Sequence, residues 1–136
     1  MHTTNYINTF IQIAEDCPIN EADIPPQGKK EPSVAELQFK LVYDNPYKYT
    51  SDDVLFEVYA QRNGIKAGEK KAAREAFFSK GQACMRASPL TKRYGWGVHN
   101  NDEGKIALVP AGSAEYKKLM ADKALKQTKG MRSSRG

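Results

Sequence analysis

The spacing of apolar and polar positions changes period several times along the chain, and each change marks an element. Ile7 to Ala14 (I-N-T-F-I-Q-I-A) is rich in β-branched and aromatic residues and reads as a strand. Glu15-Asp16-Cys17-Pro18 ends it, because proline cannot donate to a ladder. Ile19 to Pro32 is a loop punctuated by Pro25, Pro26, Gly28 and Pro32. The period then becomes helical. Ser33 has the character of an N-cap, with Glu36 in the capping-box position and Val34, Leu37 and Leu41 on one face, and the helix runs to about Tyr43. Asp44-Asn45-Pro46 stops it, since the residue before proline disfavours the helical region. Thr50 or Ser51 caps a second helix, with Asp52 and Asp53 at the positive end of its dipole. Leu55, Val58 and Tyr59 form its core stripe, and Asn63-Gly64 supplies a left-handed stop. A third helix is predicted from about Gly68 to Lys80, with Ala73, Ala76 and Phe77 inward and Lys70, Lys71 and Arg74 mostly outward.

Gln82 to Lys92 shows no period and reads as irregular, with a turn at Ser88-Pro89. Tyr94 to His99 alternates as a strand does: Tyr94, Trp96 and Val98 on one face, Gly95, Gly97 and His99 on the other. Asn101-Asp102-Glu103-Gly104 is a hairpin loop, Lys105 to Val109 the returning strand, and Pro110 its end. Ser113 caps a last helix carrying Tyr116, Leu119 and Met120. The order predicts an α+β fold: an antiparallel sheet of about three strands, made of the N-terminal strand and the C-terminal hairpin, with three to four helices over one face. Residues 1–122 form one domain, and residues 123–136 (K-A-L-K-Q-T-K-G-M-R-S-S-R-G), with little to bury, are expected to be a disordered basic tail.

Composition narrows the class. A chain of 136 residues with 40% hydrophobic composition can bury one real core. It holds no apolar run long enough for a membrane span, and its first residues lack the charged start and apolar centre of a signal peptide. Cys17 and Cys84 lie far apart and make neither a disulfide framework nor a zinc pair, so a reducing, cytoplasmic setting is the expectation. The net charge of +5 sits wholly on the tail, which has five bases and no acid. The remaining body is neutral but polarised: residues 1–60 carry ten acids against four bases, residues 61–122 twelve bases against six acids. Such asymmetry marks either an anion-binding face or two halves that pair on folding.

Several segments carry a resemblance: M-H-T-T-N-Y at the start, T-F-I-Q-I-A-E-D-C-P at 9–18, D-N-P-Y-K-Y-T-S-D-D-V-L-F at 44–56, and R-A-S-P-L-T-K-R-Y-G-W-G-V-H at 86–99. On these the chain resembles a family of bacterial proteins classed only as a domain of unknown function. The resemblance runs from Met1 to about Met120 and implies a compact domain; it brings no activity and no catalytic residue with it.

Lys80 to Pro110 holds the best candidate site. Gly95 and Gly97 flank Trp96 and leave their side of the strand bare, and glycine inside a strand is destabilising unless something approaches the backbone closely. That partner is either a ligand or a packed protein element. Arg86, Lys92 and Arg93 beside Tyr94, Trp96 and His99 combine charge for phosphate or carboxylate with aromatic faces, the ingredients of a single-stranded nucleic-acid site or of a small-anion site. No named nucleic-acid motif accompanies them. The leading expectation is therefore a non-enzymatic binding or interaction module for an anionic ligand. One alternative is a small enzyme pairing Cys17 or Cys84 as nucleophile with His99 as base. Another is a structural domain that meets only protein partners. Metal binding would need Cys17, Cys84 and His99 without the close spacing zinc sites show, and no phosphate loop or other cofactor motif is present.

Overall fold

The N-terminal strand lies inside the sheet rather than at its edge. The computed structural model describes residues 2–28 and 30–133. In it, β1 (Thr9–Gln12) pairs antiparallel with β2 (Trp96–Asn100), placing Phe10 beside His99 and Ile11 beside Val98. β2 continues through the expected loop into β3 (Ile106–Pro110), where Gly97 faces Val109 and His99 faces Ala107. Gly104 sits at φ 76°, the left-handed position the hairpin loop requires. A fourth strand, β4 (Lys126–Lys129), runs parallel to β1 on its other side, giving the order β3-β2-β1-β4.

This corrects the expected three-stranded antiparallel sheet, and it draws residues 126–129 of the expected disordered tail into the fold. The reason is physical. Lys126-Gln127-Thr128-Lys129 has no apolar alternation, and the strand is held by ladder bonds at a charged edge, a form that hydrophobic patterning does not register. Flanking bonds from Lys126 N–H to the Asn8 carbonyl and from Gly130 N–H to the Gln12 carbonyl fasten both ends. Residues 134–136 of that tail lie outside the described residues.

Three of the predicted helices form where their caps stand. α1 (Val34–Tyr43) begins at Ser33, whose side chain accepts from the Glu36 N–H. The predicted capping box is only half made: the buried Glu36 carboxylate accepts from the Gly28 N–H and so ties down the proline-rich loop instead. The reciprocal box forms at α2 (Ser51–Arg62), between Thr50 and Asp53. There the buried Asp52 also accepts from the Thr3 hydroxyl and from the Thr4 N–H and hydroxyl, fixing the N-terminal segment on the helix start. α3 is shorter than predicted (Lys70–Phe77, after a 3-10 turn at Ala67–Glu69), and none of its residues is fully buried. The segment expected to be irregular contains a 3-10 turn, Met85–Ala87, and a short helix, α4 (Pro89–Lys92), capped by Ser88. α5 (Ala114–Met120) starts at Ser113 as predicted.

Among the described residues there are thus five α-helices, and they cover both sheet faces instead of one. Ile11, Val98 and Ile106 pack with Val42 of α1 and Val54 of α2. On the opposite face Phe10 and Val109 pack with Tyr116 of α5, and Phe10 meets Tyr116 edge-on at 5.0 Å. The reversal between Phe10 and Ile11 is the strand period acting on a sheet buried from both sides. Among the described residues no helix is long and apolar enough to cross a membrane.

Candidate functional site

The residues singled out between Arg86 and His99 divide into two groups, one turned inward and one at the surface. Gly97 belongs to the first. A Cβ there would stand 2.8 Å from both the Phe10 and the Tyr116 rings, so the bare patch is filled by aromatic side chains. Gly95 precedes the strand at φ 75°, and a Cβ on it would stand 2.7 Å from the Glu21 carbonyl oxygen. The loop from the N-terminal half therefore lies over it. Trp96 is buried against Phe39 (5.2 Å between ring centroids) and Tyr43 (5.7 Å), and its indole N–H donates to the Asp23 carbonyl at 2.8 Å. Tyr94 packs half-buried at the margin of the same cluster. Neither ring is presented as a free stacking platform, and the space above both glycines is occupied by protein atoms.

Arg86 leads the surface group. Its Nε donates to the Lys129 carbonyl at 2.6 Å, and the Met131 N–H donates back to the Arg86 carbonyl at 2.6 Å. The basic loop and the end of β4 are thus stitched together by one side-chain and one backbone donor. Thr91 seals the seam: a Cβ on Gly130 would meet the Thr91 hydroxyl oxygen at 2.9 Å. Arg86 opens onto a concavity of about 510 Å³ lined by Glu15, Lys129, Gly130, Met131 and Arg132. Glu15 pairs with Lys129 at 3.0 Å; that hydrogen bond and the charges of Lys129 and Arg132 hold its carboxyl below the usual carboxylate range. Lys92 is half-buried and Arg93 exposed, directly after Thr91 at the end of α4.

His99 stands apart from these bases. Its Nδ1 is 2.8 Å from the Tyr47 hydroxyl, with the rings edge-to-face, and Tyr47 holds a left-handed backbone (φ 58°) that bulky side chains seldom adopt. Burial lowers the His99 pKa, while the charges of Glu115 and Asp122 pull it back up. Burial, then Glu115, pushes the Tyr47 phenol upward. Tyr47 was not legible as a partner, since its place depends on how the Asn45–Lys48 turn meets the far side of β3.

Neither cysteine is hydrogen-bonded to His99. The Cys84 thiol lies 3.4 Å from the Tyr6 hydroxyl, whose pKa rises through burial and the contact with Cys84 while Arg86 opposes the rise. Cys17 sits in a turn closed by its own N–H to the Ala14 carbonyl, near Tyr116. The nucleophile–base pairing weighed from the sequence thus has no direct thiol–imidazole hydrogen bond. Among the described residues no group of three or more His, Cys, Asp or Glu side chains is placed to hold a metal ion.

The charge asymmetry resolves partly into internal pairing. Lys70 meets Glu57 at 3.1 Å and Arg74 meets Asp53 at 2.9 Å, both joining the basic half to the acidic one. At Asp53 burial works to raise the pKa, but the Thr50 N–H and the Arg74 guanidinium outweigh it and lower the carboxyl.

A four-stranded mixed sheet with helices on both faces, and with a basic concavity where the C-terminal strand meets the Arg86 loop, defines a small α+β domain. The whole chain, residues 1–136, matches a family of unknown function, DUF6157, and belongs to it. No curated protein and no solved structure matches it.

Proposed function

We propose that this domain is a non-enzymatic binding module for phosphate- or carboxylate-bearing ligands, with Arg86 as anchor and Lys129 and Arg132 as flanking cations. The supporting observation is the concavity of about 510 Å³ that Arg86 shares with those two residues. A backbone carbonyl fixes the Arg86 Nε, so the guanidinium is held in one orientation before any ligand arrives, and preorganisation of this kind lowers the cost of binding. Lys92 and Arg93 add charge at the adjoining end of α4. The aromatic contribution foreseen from Tyr94 and Trp96 drops out of the proposal, because both rings are engaged in packing. Recognition rests on charge and hydrogen bonding, and it weakens steeply with salt.

The test is an NMR titration of the full chain with inorganic pyrophosphate, with citrate as the carboxylate counterpart. Saturable amide shifts centred on Arg86 and residues 129–132, weakened about tenfold by Arg86→Ala, are the expected result. Shifts spread evenly over all lysine-bearing surfaces, or a titration indifferent to Arg86→Ala, would overturn the reading.

A further inference from the structure

The two sides of the α2–α3 seam differ in charge partnership. On one side a concavity lined by Leu41, Tyr49, Gln61, Asp53, Glu57 and Arg74 holds the Arg74–Asp53 pair and the Glu57 partner of Lys70, so the cation that lines it is answered internally. On the other side, two confluent hollows of about 210 and 540 Å³ share Tyr59, Phe77 and Gln82. Val34, Leu55 and Val58 line the first and Ala73 and Ala76 the second. Among the described residues, the charged ones lining them are Arg62 in the first and Lys80 in the second, and no acid lines either. Both cations are exposed, and among the described residues neither takes part in an ion pair.

The middle of this groove is aromatic. Tyr59 is 40% exposed, and its ring lies 4.6 Å from that of Phe77, which is backed by Phe56 and Phe78. An amphipathic helix that packs its apolar side with none of its residues fully buried leaves part of that side uncovered. Two amides frame the groove. The Asn63 and Gln82 side-chain N–H groups donate back to the Tyr59 and Phe77 carbonyls, which leaves their own carbonyl oxygens to accept from an incoming backbone N–H.

We propose that this groove docks an acidic, apolar-anchored peptide segment of a protein partner. Its Leu, Phe or Trp side chains would lie on Tyr59, Phe77 and Val58, and its Asp or Glu residues would meet Arg62 and Lys80. Charge complementarity selects this occupant: a floor of aliphatic and aromatic carbon whose charged lining residues are Arg62 and Lys80 suits an amphipathic acidic segment. Nucleic acid is disfavoured because the two rings crowd each other at 4.6 Å with their planes tilted by 39°, which leaves less open face for bases. The groove is separate from the Arg86 concavity and the proposal does not rest on it.

The experiment is selection of a displayed random library of peptides about twelve residues long, roughly three helical turns, against the full chain. Enriched peptides are then measured by fluorescence polarisation. The expected peptides combine Asp or Glu with Leu, Phe or Trp. Their affinity should fall at least about tenfold with Arg62→Glu plus Lys80→Glu, and again with Tyr59→Ala, while Lys117→Ala, an exposed lysine of α5, leaves it unchanged. The charge reversals lie on exposed residues and keep the test valid if Tyr59→Ala disturbs folding. No enrichment, enrichment of basic or uncharged peptides, indifference to the charge reversal, or displacement by a single-stranded oligonucleotide would each overturn the proposal.

Discussion

Within one stretch of fourteen residues, Gly95, Trp96 and Gly97 face inward while Arg86, Lys92 and Arg93 remain at the surface. In the sequence these looked like parts of one site. In the fold they do different things. The glycines are small because Glu21, Phe10 and Tyr116 need the room, and Trp96 is a core ring with its N–H satisfied by Asp23. Arg86 instead orients a charged group at the seam between the loop and the residues after β4. A residue that is costly to place shows that something lies close by; only the packing shows whether that neighbour is protein or ligand.

The sharpest way to break this division is to fill the glycines. Gly95→Ala combines a left-handed backbone with a Cβ 2.7 Å from a backbone carbonyl that has little freedom to move. It is expected to cost about 2–4 kcal/mol. Gly97→Ala meets only ring edges, which can shift by a few tenths of an ångström, and its expected cost is about 1–3 kcal/mol. Urea denaturation measures both, and at temperatures where the variants remain folded pyrophosphate binding should be unchanged. Full stability in Gly97→Ala, or selective loss of binding, would return the glycine face to the list of ligand sites.

Arg86→Ala should show the opposite profile. Losing one bond to a backbone carbonyl costs about 0.5–1.5 kcal/mol, whereas pyrophosphate affinity should fall about tenfold. A stability loss as large as that of Gly95→Ala would make Arg86 a structural clamp on the C-terminal strand. Glu15→Gln is milder and opposite in sign. It removes the acid that lines the concavity among the described residues and releases Lys129, so binding should tighten about two- to threefold at low salt, with the gain fading at high salt. An unchanged affinity would place the ligand away from Lys129.

How much of this was legible follows from where each signal resides. Caps are local chemistry, so Ser33, Thr50 and Ser113 stood at helix starts and Gly104 at the hairpin turn, as the sequence indicated. The helices on both faces were foreshadowed by the run Thr9-Phe10-Ile11, where adjacent apolar residues cannot share one face. β4 had no such signal, because its stability comes from backbone pairing with β1. The association of Arg86 with Lys129 and Arg132, and of His99 with Tyr47, depends on residues more than forty positions apart meeting in space; no spacing rule reaches that far. Conversely, the Glu36 carboxylate had two local options and took the less obvious one, bonding Gly28 across the loop.

The smallest expected effect concerns His99, a polar residue of β2 that neither group claims. Burial holds its pKa below the usual imidazole value of about 6.5, against the pull of Glu115 and Asp122. The unfolded chain therefore takes up the proton first. The stability associated with neutral His99 is fully present above about pH 6.5 and is lost as the pH falls from there through the folded-state pKa. His99→Gln removes that proton uptake, so its Tm should decline less than that of the parent between about pH 7.5 and about pH 5. Tyr47 also loses its imidazole partner in the variant, which lowers Tm by a similar amount at every pH in this range because the phenol does not titrate there. The slope, not the offset, carries the test. Parallel curves would mean that the folded protein accommodates the imidazolium as readily as water does, and that the carboxylates of α5 and its following turn offset the cost of burial.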